Sequence, residues 1–106
     1  MQPDLHYNGG FIRAARVALL ARAAGMEIAL HNPETGPRQA DFLQFVAWAP
    51  NLVGYQELHG EKSKQRVTWY APLIEPQDGK FRIPTGPGIG ITIDPDFIKK
   101  ATIVTL

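Results

Sequence analysis

Hydrophobic and polar residues in the first half of the chain follow helical spacing in two stretches. Residues 11–24 (FIRAARVALLARAA) combine alanine, leucine and arginine, which are strong helix formers, and Gly25 follows at the usual place of a helix C-cap. A second stretch, residues 38–49, carries periodic apolar residues between Pro37 and Pro50. These two patterns predict helices over 11–24 and 38–49.

Short apolar runs lie next to the predicted helices. Residues 26–30 (MEIAL) end at His31 and precede turn-forming Asn-Pro and Gly-Pro pairs, and residues 52–57 (LVGYQE) follow the second helix. The chain also opens on what resembles the end of a strand, at Asp4. Strand end, helix, strand, helix and strand in this order predict an α/β fold with parallel strands. Each strand end then carries an ionisable side chain, the third being Glu57.

The last third of the chain has a less regular pattern. Asp78 and Gly79 predict a turn, followed by a short alternating strand and a bend rich in glycine and proline. The glycines of that bend do not open a helix after a strand, so a tight bend is favoured over a phosphate-binding loop. A β-branched run over 89–93 predicts another strand, and Asp94 with Pro95 predicts the start of a short helix.

Composition and charge set the broad class of protein. The chain has 106 residues, 44% of them hydrophobic, which suits one small globular domain. Its net charge of +1 does not indicate a nucleic-acid partner, and the absence of cysteine excludes disulfides and thiolate zinc sites. A small basic cluster is interpreted as a solvent-facing loop or helix face: Lys62, Lys64 and Arg66.

No segment predicts a membrane span or a secretory leader. The longest apolar stretch, residues 17–30, contains Arg22 and Glu27 and is too short and too charged to cross a bilayer. The start of the chain has neither a basic segment nor an apolar one. We therefore expect a soluble, cytoplasmic protein without membrane or nucleic-acid partners.

The three ionisable strand ends are the candidate chemistry. Active sites of parallel α/β folds form where strands finish, because side chains from neighbouring strands converge there. His31 is a candidate general base or acid, and Asp4 is the neighbour that would fix its tautomer. Taken singly, His31 could bond to the following turn, Asp4 could form an Asx turn and Glu57 could be a surface carboxylate. Their coincidence at successive strand ends favours a site.

A zinc hydrolase is the rival chemistry. It would draw on His6, His31 and His59 together with the same carboxylates. No two of these histidines have an H-x-x-x-H or H-x-H spacing, so the zinc hypothesis is disfavoured.

Several motifs together resemble a known family. They are Asp4 followed by Gly9-Gly10, His31 after an apolar run, Pro50-Asn51 before a glutamate, and Pro-x-Gly-Pro-Gly-x-Gly over 84–90. In combination they resemble the C-terminal part of the mandelate racemase and muconate lactonizing enzyme family, within the enolase superfamily. The resemblance covers nearly the whole chain.

The resemblance implies a fold and a reaction. Residues 1–77 would be the last βα units of a (β/α)₈ barrel, with the chain beginning inside the sixth strand, and residues 78–106 a tail returning to an N-terminal capping domain. Asp4 and His31 match the family's Asp-His dyad, which removes a proton α to a carboxylate while Mg²⁺ stabilises the enediolate. Glu57 matches a glutamate that polarises the substrate carboxylate, although the usual spacing puts Gln56 in that register.

Within this family the chain is most similar to acid-sugar dehydratases of the galactonate and mannonate types. The resemblance implies a sugar-acid substrate, a homo-oligomer in the full-length enzyme, and Mg²⁺ held by residues that are not in this chain. We therefore expect no activity from the chain alone. A racemase or epimerase of the same family, and a non-catalytic partial barrel that pairs with another chain, remain alternatives.

Overall fold

A computed structural model describes residues 1–58, 68–102 and 104. The basic cluster at 62–66 and His59 lie outside these residues. The described elements are α1 Phe11–Ala23, a single 3₁₀ turn Gly36–Arg38, α2 Gln39–Trp48, β1 Tyr70–Ala71, β2 Thr92–Ile93 and α3 Pro95–Lys99. None of the described helices is long and apolar enough to cross a membrane.

The start of the chain pairs in parallel with the segment that follows α1. The Ala29 amide donates to the Met1 carbonyl and the His31 amide donates to the Pro3 carbonyl, both at 3.0 Å. A parallel bridge joins Asp4 to His31 at the end of this pairing. The predicted side-by-side arrangement of these two segments is therefore confirmed.

The segment after α2 pairs in parallel on the other side. The Ile28 amide donates to the Asn51 carbonyl, and the Val53 amide donates to the Ile28 carbonyl, both at 2.9 Å. A parallel bridge joins Ile28 to Leu52. The central position of the middle segment confirms the predicted parallel α/β order.

These pairings are shorter than the strands predicted from the sequence. The predicted strand over 52–57 is wrong beyond Val53, because the side chain of Gln56 takes over the pairing. Gln56 Oε1 accepts from the Leu30 amide at 3.2 Å, where a continuing ladder would use a backbone carbonyl. The middle run over 26–30 likewise forms a single bridge, at Ile28, and does not form an extended strand.

Helix α1 lies close to the paired segments because it presents small residues to them. Ala14, Ala18 and Ala21 are buried on one face of the helix. The helix ends in a Schellman motif, in which the Met26 amide donates to Ala21 at 2.8 Å and Gly25 adopts φ 69°. This tight stop turns the chain directly back into the middle segment.

The core lies between the two helices and the paired segments. Its largest buried apolar side chains come from the loop after Asp4, the middle segment and α2: Leu5, Ile28, Leu30, Phe42 and Phe45. The packing of α2 explains why residues 38–49 are apolar at helical spacing. It also fixes the loop between the middle segment and α2, which carries residues next to the candidate site.

The last third folds back on itself through short elements. An antiparallel bridge from Gln77 to Lys80 confirms the predicted turn at Asp78 and Gly79. The predicted alternating strand after this turn is wrong, and the β-branched run over 89–93 forms a strand at β2, which pairs with β1. The predicted helix start is confirmed, because Asp94 Oδ1 accepts from the Asp96 amide at 2.9 Å.

Candidate functional site

Asp4 and His31 are joined by a side-chain hydrogen bond at the ends of the two paired segments. His31 Nδ1 lies 2.8 Å from Asp4 Oδ2. The His31 side chain is 45% exposed and the Asp4 side chain 14%, so the ring is accessible while the carboxylate behind it is largely covered. The structure thus brings together the two residues that the sequence predicts as a dyad.

The second oxygen of Asp4 organises the loop that follows it. Asp4 Oδ1 accepts from the Tyr7 amide at 2.6 Å, and the Gly10 amide donates to the Leu5 carbonyl at 2.9 Å ahead of α1. One carboxylate oxygen of Asp4 therefore makes a local contact with the following loop, and the other faces His31. Because both oxygens are engaged, the carboxylate has a fixed orientation towards His31.

The environment keeps Asp4 ionised at neutral pH. Partial burial raises the pKa of the Asp4 carboxyl, but hydrogen bonds from the Tyr7 amide, the His31 ring and the His6 amide, together with the charge of His31, more than offset it. The net pKa is below the ordinary value of 3.8. An ionised carboxylate only accepts hydrogen bonds, so the ring nitrogen facing it must donate. Neutral His31 therefore carries its proton on Nδ1 and an open lone pair on Nε2.

Glu57 reaches the loop immediately after His31. Glu57 Oε2 accepts from the Asn32 amide at 3.0 Å, and the Asn32 side-chain amide donates to the Glu57 carbonyl at 3.3 Å. Gln56 is committed elsewhere, since its Nε2 donates to the Val53 carbonyl at 2.9 Å while its oxygen accepts from Leu30. Of Gln56 and Glu57, Glu57 is therefore the one held against Asn32, the residue that follows His31.

A second histidine-carboxylate cluster lies next to the dyad. His6 Nε2 is 3.3 Å from Asp41 Oδ2, and His6 Nδ1 is 3.5 Å from Glu34 Oε1. Arg38 also pairs with Glu34, at 3.1 Å. The sequence alone suggests for His6 only the disfavoured role of a zinc ligand. The sequence does contain a signal for this cluster: His6 closely follows Asp4, and Glu34 closely follows His31, so both lie in the loops that carry the dyad.

The described residues do not offer a set of metal ligands. Across 1–58 and 68–102, no group of three or more histidine, cysteine, aspartate or glutamate side chains is arranged to hold a metal ion. The two oxygens of Asp4 are occupied by the Tyr7 amide and His31. The zinc arrangement of His6 with His31 is not formed in this region, and His59 lies outside it.

The family model described as "Enolase C-terminal domain-like" matches residues 1–97. The chain belongs to this family. In the enolase superfamily this domain is the TIM-barrel part, so the three paired segments and the helices α1 and α2 are the C-terminal part of such a barrel. Enolase superfamily members generally use Mg²⁺.

The names of three curated relatives refer to sugar acids or to a sugar-acid lactone. D-galactarolactone cycloisomerase of Agrobacterium fabrum is 34% identical over 103 residues, covering 91% of this chain and 27% of that protein. D-xylonate dehydratase of Haloferax volcanii is 29% identical over 101 residues, covering 92% and 23%. D-gluconate dehydratase of Thermoproteus tenax is 25% identical over 100 residues, covering 94% and 20%. The chain thus spans about a quarter of the length of these relatives.

A solved structure supports the same assignment. It is a crystal structure of an enolase of the mandelate racemase subgroup from Agrobacterium tumefaciens, with a succinimide residue, sodium and phosphate. The TM-score is 0.72 at 28% identity, covering 93% of this chain and 27% of that one. The predicted resemblance to the mandelate racemase branch of the enolase superfamily is therefore confirmed.

Proposed function

We propose that this chain supplies the general base of a sugar-acid dehydratase of the enolase superfamily. The observation that carries the proposal is the hydrogen bond between Asp4 and His31 at neighbouring ends of parallel segments. The D-xylonate and D-gluconate dehydratases among the relatives support a sugar-acid carboxylate as the substrate class.

In the proposed reaction, His31 Nε2 removes the proton α to the substrate carboxylate. The C–H electron pair moves into the carboxylate to give an enediolate, and the resulting imidazolium is stabilised by the Asp4 carboxylate at Nδ1. The enediolate then expels the β-hydroxyl, which takes a proton from the same imidazolium and leaves as water. The remaining enol becomes a 2-keto-3-deoxy sugar acid, and His31 returns to its neutral form.

Glu57 is proposed to contact the substrate carboxylate. The Asn32 amide fixes Glu57 Oε2 beside the residue that follows His31. A carboxyl group held there lies at the same edge of the sheet as the dyad, where strand ends of a barrel face the substrate. This placement supports Glu57 over Gln56, whose amide is used within the sheet.

The residues that bind Mg²⁺ would lie outside the described part of the chain. Metal ions stabilise the negative charge that develops when a proton is removed next to a carboxylate. The residues described here do not fit such a site, because no suitable ligand group is present among them. Because the chain spans about a quarter of its relatives, we expect the rest of the full-length enzyme to hold the Mg²⁺ and the chain alone to be inactive.

The test uses the chain and a chimera. The chain alone, with Mg²⁺ and D-xylonate or D-gluconate, is expected to form no 2-keto-3-deoxy acid. In the chimera, residues 1–97 replace the matching part of the Haloferax D-xylonate dehydratase. The chimera is expected to dehydrate D-xylonate and to lose about 10²- to 10⁴-fold in kcat with His31→Asn.

Matched controls separate chemistry from folding. Asp96→Asn alters an exposed pair on α3 and is expected to leave the chimera's activity unchanged. Circular dichroism of both variants checks that the fold is retained. Turnover by His31→Asn at the unsubstituted rate would overturn the proposal, as would robust turnover by the chain alone.

A cycloisomerase reaction is the second candidate, favoured by the D-galactarolactone cycloisomerase at 34% identity. It would use the same base at a carbon next to a carbonyl group. A chimera with that relative, given D-galactarolactone, distinguishes the two, because isomerisation conserves the substrate formula whereas dehydration releases water. The racemase alternative would instead invert the α carbon without changing its substituents.

A non-catalytic pairing role is favoured by the outer surface of α1. Ile12, Leu19 and Leu20 are exposed large apolar side chains on that helix. A partial barrel would cover such residues by pairing with another chain or with itself. Sedimentation of the chain tests this: a monomer at high concentration argues against self-pairing, and a dimer lost in Leu20→Glu supports it.

A further inference from the structure

Two side-chain contacts connect the loop that begins at Asp4 with the loop that follows His31. The inner contact is the hydrogen bond from His31 to Asp4. The outer contact places His6, from the loop that carries Asp4, against Glu34, from the loop that follows His31. Asp41, in the first turn of α2, meets the other side of the His6 ring. The outer contact therefore ties both loops to a helix of the core.

Both ring nitrogens of His6 face carboxylate oxygens. A neutral imidazole has one N–H donor and one acceptor, so it can satisfy one carboxylate while its other nitrogen faces a second one unfavourably. An imidazolium donates on both sides. The side chains are 22% exposed for His6, 18% for Glu34 and 27% for Asp41, so solvent screens these charges only in part.

The charges around His6 balance only when it is protonated. The described charged groups that face it are Glu34 and Asp41, and Arg38 in turn pairs with Glu34 at 3.1 Å. With His6 protonated, two cations meet two anions. With His6 neutral, one cation meets two anions, and the contact between the loops loses an ion pair.

We propose that His6 is a positioning residue for the dyad: its imidazolium bridges Glu34 and Asp41 and so holds the Asp4 loop at hydrogen-bonding distance from His31. The inference deepens the proposed function, on which its catalytic meaning rests. The coupling itself concerns the chain alone, and it makes the alignment of the dyad depend on the contacts that His6 makes with Glu34 and Asp41.

The test is nitrogen NMR of the histidine rings in the ¹⁵N-labelled chain, without substrate. In the unsubstituted chain, His31 is expected to show the Nδ1–H resonance of a ring bonded to Asp4. His6→Gln is expected to lose or broaden that His31 resonance, because a glutamine amide cannot bridge both carboxylates as a cation. Asp96→Asn, remote on α3, is the matched control and is expected to leave it unchanged.

A second variant guards against simple misfolding. Glu34→Gln retains a hydrogen-bonding side chain of the same shape but removes the charge that His6 meets, and it is expected to weaken the His31 resonance in the same direction. Circular dichroism confirms that both variants keep their helices. An unchanged His31 resonance in folded His6→Gln and Glu34→Gln would overturn the inference. Because no turnover is measured, failure of the proposed dehydratase function would leave this result intact.

Discussion

His31 Nδ1 and Asp4 Oδ2 lie 2.8 Å apart although 27 residues separate them in sequence. The backbone creates this proximity, because the His31 amide donates to the Pro3 carbonyl in the parallel pairing that ends at Asp4. The pairing of the sheet thus brings both side chains to the same edge, and the role proposed for His6 is to hold the loop that follows Asp4. A site built on such pairing holds its geometry better than one carried by loops alone.

Asp4→Asn tests whether the carboxylate orients the ring. The amide can present its NH₂ group to His31 and favour the opposite tautomer, with the proton on Nε2, which blocks proton removal. In the D-xylonate dehydratase chimera we expect kcat to fall by about 10²- to 10⁴-fold with a smaller change in KM. Steady-state kinetics check this. Equal kcat values for Asp4→Asn and the Asp96→Asn control would show that the carboxylate does not act through His31.

The lowered pKa of Asp4 predicts a specific dependence of stability on pH. Because its pKa in the folded chain is below the ordinary value of 3.8, folding favours the ionised carboxylate. The resulting stabilisation is fully present above about pH 4 to 5, and it is lost as the pH falls through the folded-state pKa. The free energy of unfolding of Asp4→Asn is therefore expected to approach that of the unsubstituted chain in acid.

Urea denaturation of both chains at pH 7, 5, 4 and 3 measures this difference. The gap in unfolding free energy should be largest at pH 7 and narrow steadily below pH 4. A gap independent of pH would mean that the contribution of Asp4 does not depend on its charge.

Local signals explain why the helices were predictable. The residues of α1 are strong helix formers, and Gly25 supplies the left-handed stop of its Schellman motif, so the end of the helix is set by a nearby residue. Pro37 and Pro50 delimit α2 in the same way. Parallel pairing instead depends on distant partners, so the sequence indicated the order of the segments and overestimated their lengths.

The candidate site was predictable where strand ends carried its residues. His31 and Glu57 follow apolar runs and Asp4 precedes the Gly9-Gly10 turn, and the structure joins Asp4 to His31 and Glu57 to Asn32, the residue after His31. The cluster around His6 was missed because Asp41 reaches it from α2, and the rotation of that helix is set by core packing. Sequence spacing carries no information about that rotation.

Substitution of Gln56 is expected to lower stability, whereas substitution of Glu57 is expected to lower turnover. Gln56→Ala leaves the Leu30 amide without its acceptor between two segments, which should cost about 1–3 kcal/mol of unfolding free energy. Glu57→Gln keeps a side-chain oxygen for the Asn32 amide and should change stability by less than about 0.5 kcal/mol. In the chimera, however, Glu57→Gln should lower turnover, because it removes the carboxyl group proposed to meet the substrate.

Urea denaturation and steady-state kinetics on the same two variants separate these roles. A loss of stability in Gln56→Ala with kcat retained, and the reverse in Glu57→Gln, is the expected pattern. Loss of turnover in Gln56→Ala at full stability would assign the substrate-facing position to Gln56 instead.

Two glycines in the bend between residues 84 and 90 provide a matched pair for testing close packing. Gly88 and Gly90 both have left-handed φ angles, of 65° and 82°. A Cβ at Gly88 would meet nothing within 4 Å, whereas one at Gly90 would lie 2.6 Å from Pro84 Cβ and 2.7 Å from its carbonyl oxygen. The bend cannot easily relax, because Gln44 Nε2 donates to the Pro84 carbonyl at 2.7 Å.

Gly88→Ala should therefore cost only the left-handed backbone penalty, about 1–2 kcal/mol. Gly90→Ala adds a steric term of about 1–3 kcal/mol, because the backbone of Pro84 must move. Urea midpoints of the two variants measure the difference directly. If they coincide, the close approach of Gly90 to Pro84 does not contribute to stability. If the urea midpoint of Gly90→Ala is lower than that of Gly88→Ala, the variants are made again with Gln44→Ala added. A smaller difference between the two midpoints would then show that the hydrogen bond from Gln44 on α2 prevents the bend from relaxing.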